Sequence, residues 1–140
     1  MSAWRNNRQN MIGSYSAERA GMNPKTESLK ARTRKFMLDC LAPCKTIERS
    51  PEGDVLRRQL ARAACGVAGN YRHTCRARSR AEFIAKIGTT LEEADESELW
   101  LGTVRDAKLT AEPDLPRLYQ ESVELMLIFS QSNRTARGNP

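Results

Sequence analysis

Apolar positions along this chain return at steps of three and four over long stretches, and none alternates with a period of two long enough to make a strand. From Thr26 onward Leu29, Phe36, Leu38, Cys40, Leu41, Cys44 and Ile47 keep a helical spacing. Thr26 is a candidate N-cap, and Glu27 suits the first turn. Pro43 lies inside this run. It lacks an amide donor and crowds the preceding turn, so a kink is expected between Asp39 and Pro43. Ser50-Pro51-Glu52-Gly53 is a break, and a second helix is predicted from about Glu52 to Cys75. Its apolar face holds Leu56, Leu60, Ala63, Val67 and Tyr71. Ser79 followed by Glu82 reads as a capping box that opens a third helix, from about 79 to 108. That helix aligns Phe83, Ile84, Ile87, Leu91, Ala94, Leu101 and Val104. A fourth, from about Asp114 to Asn133, aligns Leu115, Leu118, Tyr119, Ser122, Leu125, Met126 and Phe129.

Four amphipathic helices with short connections predict an all-α protein, an antiparallel up-down-up-down four-helix bundle over residues 25–134. Residues 1–24 show no sustained period and read as a flexible, weakly basic arm, in which Trp4 beside Arg5 and Arg8 offers a ring for stacking on a base. Residues 135–140 read as a frayed polar tail. A chain of 140 residues is enough for one core. No apolar run reaches the ~18–20 residues of a membrane span, and no signal-type apolar segment opens the chain. A cytoplasmic protein with no membrane partner is therefore expected. Four Cys in a chain of this length do not make a disulfide framework.

The charge changes the picture. The chain carries a net +6. Residues 1–80 hold 17 Lys/Arg and 6 Asp/Glu, whereas residues 81–140 hold 6 and 11. One basic and one acidic surface are expected. On the second helix, Arg58, Arg62, Cys65, Gly69, Arg72 and Arg76 fall along one line opposite the apolar face, with Arg78 and Arg80 just beyond. Guanidinium suits phosphate because its planar fork donates two bonds at once. The same arginines could instead pair with Glu92, Glu93, Asp95 and Glu96 of the third helix, within the chain or across a subunit interface, which would make the protein a protein-interaction scaffold. Nucleic-acid binding, if present, would follow the backbone rather than read bases, since aromatic residues make only 6% of the chain.

Small residues cluster at Cys65, Gly66, Ala68 and Gly69, with Gly88 on the next helix. Glycine in a helix costs about 1 kcal/mol relative to Ala, so a close neighbour is expected, inside the bundle or between protomers, with Tyr71 beside it. Cys40, Cys44, His73 and Cys75 are metal-ligand types, but their spacing is not that of a zinc ribbon or finger, and packing is the expected role. No cofactor or metal is expected. A single His leaves no second imidazole to activate a nucleophile, and neither a phosphate-cradling loop nor a ribonuclease-type Arg-to-His spacing is present. An enzyme is not expected.

The segment from Arg58-Gln59-Leu60 to Trp100-Leu101 closely resembles the bacterial 23S ribosomal RNA intervening-sequence proteins. The resemblance rests on Arg58, Gln59, Leu60 and Arg62, on Gly69-Asn70-Tyr71-Arg72, and on Cys75-Arg76-Ala77-Arg78-Ser79. It continues through Glu82-Phe83-Ile84 with Lys86, then Glu92-Glu93-Ala94-Asp95-Glu96 and Trp100-Leu101, and extends loosely over about 29–137. The chain departs from that pattern at Gly66, where Ser is usual, at Pro43, where an aliphatic residue is usual, and in its longer arm. The resemblance implies a bundle that assembles as a ring-like homopentamer. It also implies a likeness of fold to the accessory variability determinant of diversity-generating retroelements, which pairs with a reverse transcriptase and binds nucleic acid through a basic surface.

Overall fold

The computed structural model describes residues 24–139, and among these described residues five helices are present. They are α1 (Pro24–Asp39), α2 (Leu41–Thr46), α3 (Pro51–Cys75), α4 (Arg80–Asp106) and α5 (Leu115–Ala136), and no strand occurs among the described residues. The N-terminal arm and Trp4 lie outside that range. Helix α1 begins at Pro24, so Thr26 sits inside its first turn rather than at the cap.

The expected kink falls at Cys40, which separates α1 from the single-turn α2. Its cause is the missing amide of Pro43, which leaves the carbonyl of Asp39 without its usual donor. The Cys40 amide still reaches the Phe36 carbonyl at 3.0 Å, and the Cys44 amide reaches that of Cys40 at 3.3 Å, so the chain bends without unwinding. Ser50 caps α3 by accepting from the Gly53 amide at 3.0 Å, with Pro51 at the first helical position. Ser79 caps α4 by accepting from the Glu82 amide at 3.1 Å, while Glu82 accepts from the Arg78 amide at 2.8 Å.

Contacts along the helices give their directions. Arg62 and Thr74 of α3 meet Glu96 and Thr90 of α4 in reverse order. Tyr119 of α5 bonds Glu98 of α4, while Ala136 of α5 meets Arg80 at the start of α4. Asp39 and Arg32 of α1 meet Arg117 and Glu121 of α5. Each of these three pairs therefore runs in opposite senses. The core is built from Phe36, Leu60, Val67, Ile87, Leu101, Leu118, Leu125 and Phe129. Tyr71 and Phe129 stack across it, with ring centroids 5.6 Å apart. Helix α4 packs against both α3 and α5; while Ile84 and Leu91 pack half-buried against the core as the periodicity expected, the helix also fully buries two polar residues, Thr90 and Ser97. Their hydroxyls donate to carbonyls one turn back, Lys86 at 2.9 Å and Glu93 at 2.8 Å, which removes the penalty of burying them.

Helix α5 runs past its expected end to Ala136, which is fully buried. Gly138 then adopts a left-handed φ of 79°, its amide reaching Thr135 at 3.1 Å and that of Asn139 reaching Arg134 at 2.9 Å. This is a Schellman closure with glycine where it belongs, so the segment expected to fray is an ordered cap. No helix is long and apolar enough to cross a membrane among the described residues.

Candidate nucleic-acid interface

Between Asp54 and Glu82 the sequence holds no acidic residue, and this stretch forms nearly all of α3 and its turn into α4. All six positions of the expected line, Arg58, Arg62, Cys65, Gly69, Arg72 and Arg76, are exposed, because they stand opposite the residues that α3 buries. The arginines then diverge. Arg62 bonds Glu96 and lies 3.7 Å from Glu93, both on α4. That pairing is made within one chain. Arg58, Arg72 and Arg76 form no ion pair among the described residues, and Arg78 makes only a loose 3.7 Å contact with Glu82. Arg80 is drawn inward instead, its Nε donating to the Ala136 carbonyl at 2.8 Å. It ties the start of α4 to the end of α5.

At the α3–α4 turn, His73, Arg76, Arg78, Glu82 and Lys86 line an open cleft of about 320 Å³. Glu82 is its one carboxylate. The Arg78 amide bond, first, and the charges of Arg78 and Lys86 hold Glu82 below the usual carboxylate range, so it stays ionised.

Of the small residues, Gly66 has its close neighbour inside the chain, the side chain of Glu93. Gly69 and Gly88 have none: a Cβ at either would meet nothing within 4 Å among the described residues. Of the two contacts expected, inside the bundle or between protomers, the first is not made at Gly69 or Gly88 among the described residues. Cys65 is exposed, and Tyr71 belongs to the core, where burial pushes its hydroxyl well above the usual range.

Cys40, Cys44 and Cys75 are buried thiols raised by desolvation, Cys44 to about 11, and they act as small apolar side chains. Cys44 touches Arg57 near the start of α3 and Cys75 ends that helix, roughly 27 Å away at 1.5 Å per residue. Cys40 and Cys44 thus cannot share ions with His73 and Cys75. No group of three or more His, Cys, Asp or Glu is placed to hold a metal among the described residues.

One functional-looking residue escaped the sequence reading. Arg57, next to the exposed Arg58, turns inward. Its Nε donates to the Cys44 carbonyl at 2.9 Å and its Nη2 to the Ile47 carbonyl at 2.8 Å, capping the last turn of α2, while Nη1 bonds Asp54. Its signal was one of phase: it lies about 100° from Arg58 around the helix.

The family model described as 23S rRNA-intervening sequence protein matches residues 28–131. Among solved structures, the chain is similar to a Bacteroides thetaiotaomicron protein of the S23 ribosomal protein family, described as of unknown function. Sequence identity is 24%, the TM-score is 0.68, and the match covers 79% of this chain and 99% of that one. This likeness concerns the fold. No curated protein matches the chain.

Proposed function

The chain belongs to the 23S rRNA-intervening sequence protein family, and we propose that this member is a non-enzymatic, self-associating bundle that binds the phosphate backbone of structured RNA or DNA. The observation that carries the reading is the set Arg58, Arg72, Arg76 and Arg78, exposed on one side of α3 and its turn with no carboxylate of α3 beside them after Asp54. Clustered like charge at an exposed surface is unfavourable until it meets a polyanion. The lone His73 stands among arginines, with Glu82 already bonded to a backbone amide, an arrangement that supports anion binding better than acid–base chemistry.

Gly69 and Gly88 support self-association. Each carries the helix-propensity penalty of glycine with no neighbour in its own chain to require it, so a second copy approaching the outer faces of α3 and α4 supplies the reason. Five is the number of copies that the resemblance of the sequence implies. A ring would multiply a weak site by avidity. The rival reading, a scaffold whose arginines form inter-subunit salt bridges, loses one of its members, because Arg62 is already satisfied by Glu93 and Glu96 of its own chain.

The test is a binding titration of labelled RNA and DNA at two salt concentrations, with Arg72, Arg76 and Arg78 changed to Glu. Affinity is expected to fall with salt and with the substitution. Binding that ignores both removes the proposal. Light scattering of the eluted protein reads the assembly, and a monomer would remove the self-association.

A further inference from the structure

Charge along the sequence places the basic surface in the first 80 residues, but folding gathers it differently. The acids of α5 stop at Glu124, and the end of that helix carries Arg134 in its last turn and Arg137 as its C-cap. The Arg80–Ala136 bond brings this end of α5 against the start of α4, beside the end of α3. Lys86 joins from α4 as a wall of the cleft. Helix α1 begins here too, since it runs antiparallel to α5, with Asp39 meeting Arg117 and Arg32 meeting Glu121.

This end of the bundle thus holds Arg72, Arg76, Arg78 and Arg80, Lys86, Arg134 and Arg137, together with Lys25 and Lys30. Among the described residues, two acids stand against these nine bases, Glu27 and Glu82. The surplus of seven exceeds the +6 of the whole chain. Arg134 and Arg137 bond only the neutral acceptors of Gln131 and Asn133 among the described residues, so their charge is oriented but not neutralised.

We infer that this cationic end, rather than the length of α3, seats the nucleic-acid backbone, with Lys86, Arg134 and Arg137 contacting phosphates alongside Arg72, Arg76 and Arg78. The inference rests on the nucleic-acid reading above and gives it a place. Complementarity of charge carries it. A second copy covering Gly69 would also screen the middle of α3, leaving the end as the accessible cationic ground.

The experiment uses the full chain and two labelled probes, an RNA hairpin and a DNA duplex of mixed sequence, read by anisotropy. Two charge-reversed proteins are compared: K86E/R134E/R137E at the end face, and K45E on α2 at the opposite end of the bundle. The triple variant is expected to weaken binding by about tenfold or more and to flatten the salt dependence, while K45E stays within about twofold. The neutral triple K86Q/R134Q/R137Q serves as the second variant should reversal disturb folding, and it is expected to lose affinity in the same direction. Loss with R72E/R76E/R78E but full binding by both end-face triples overturns the inference and leaves the broader reading standing. Absence of binding by the unmodified protein to either probe overturns both. Preference between the probes tells RNA from DNA.

Discussion

The carboxylate of Glu93 on α4 lies over Gly66 on α3, so that a Cβ at position 66 would stand 2.5 Å from its Cδ. The glycine is there for a side chain. This predicts a non-additive pair. Gly66→Ala alone gains helix propensity of about 1 kcal/mol but must push Glu93 aside, so it is expected to be neutral or destabilising. On a Glu93→Ala background the same change is expected to stabilise by about 1 kcal/mol. A double-mutant cycle by urea unfolding measures the coupling, and additive effects would refute the packing argument.

Glu93 also predicts a pH dependence. Burial, first, and the charges of Glu96 and Glu92 raise its pKa above 4.5, against the opposing pull of Arg62. Its Oε2 is buried and accepts no hydrogen bond among the described residues. A raised carboxyl binds more protons folded than unfolded, so its contribution favours the fold at low pH and is lost as pH rises through the folded pKa. Glu93→Gln is therefore expected to match the unmodified protein near pH 4 and to exceed it in stability by neutral pH. A difference that does not change with pH would contradict this. Asp39, Asp54 and Asp114 act in the opposite sense: their arginine and lysine partners lower them, so their contribution is lost as pH falls.

Neighbouring arginines on α3 are expected to behave differently. Arg57 satisfies two carbonyls at the end of α2, and its side chain is 18% exposed. Arg57→Ala leaves those acceptors without a donor and is expected to cost about 2–3 kcal/mol in chemical unfolding. Arg58→Ala, exposed and making no ion pair among the described residues, is expected to change stability by less than about 0.5 kcal/mol. Similar losses at the two positions would mean that the α2 cap contributes little.

The bundle was legible because helical periodicity, Ser50, Ser79 and Pro43 are local signals, and each acts within a few residues of itself. The exposed line on α3 was legible for the same reason. The cationic end was not, because it joins Arg76 to Arg137 across 61 positions, and which termini meet depends on packing rather than on spacing. Arg57 was hidden among other arginines, since composition does not reveal which way a side chain turns. Gly138 did carry a readable signal. A glycine just past an apolar helical period, after Arg134 and Arg137, is a stop signal, and reading the segment as frayed overlooked it.

Two helix ends with the same closure but different residues supply the last prediction. After α4, the Lys108 amide reaches Arg105 and the Leu109 amide reaches Val104, each at 3.1 Å, the pattern found after α5. The left-handed position there is Lys108, with φ of 53°, whereas after α5 it is Gly138. A side chain in that region costs roughly 1–2 kcal/mol, and glycine offsets part of this through its freer unfolded chain. Lys108 is exposed and makes no ion pair among the described residues, so removing its side chain sacrifices little. Lys108→Gly is therefore expected to stabilise by about 0.5–1 kcal/mol, raising the melting temperature by roughly 2–6 °C. Gly138→Ala is expected to destabilise by a similar amount, and it also loosens the turn that holds Arg134 and Arg137 on the cationic end. Calorimetry of the two variants checks the pair. If Lys108→Gly lowers the melting temperature, the left-handed strain assigned to that position is wrong.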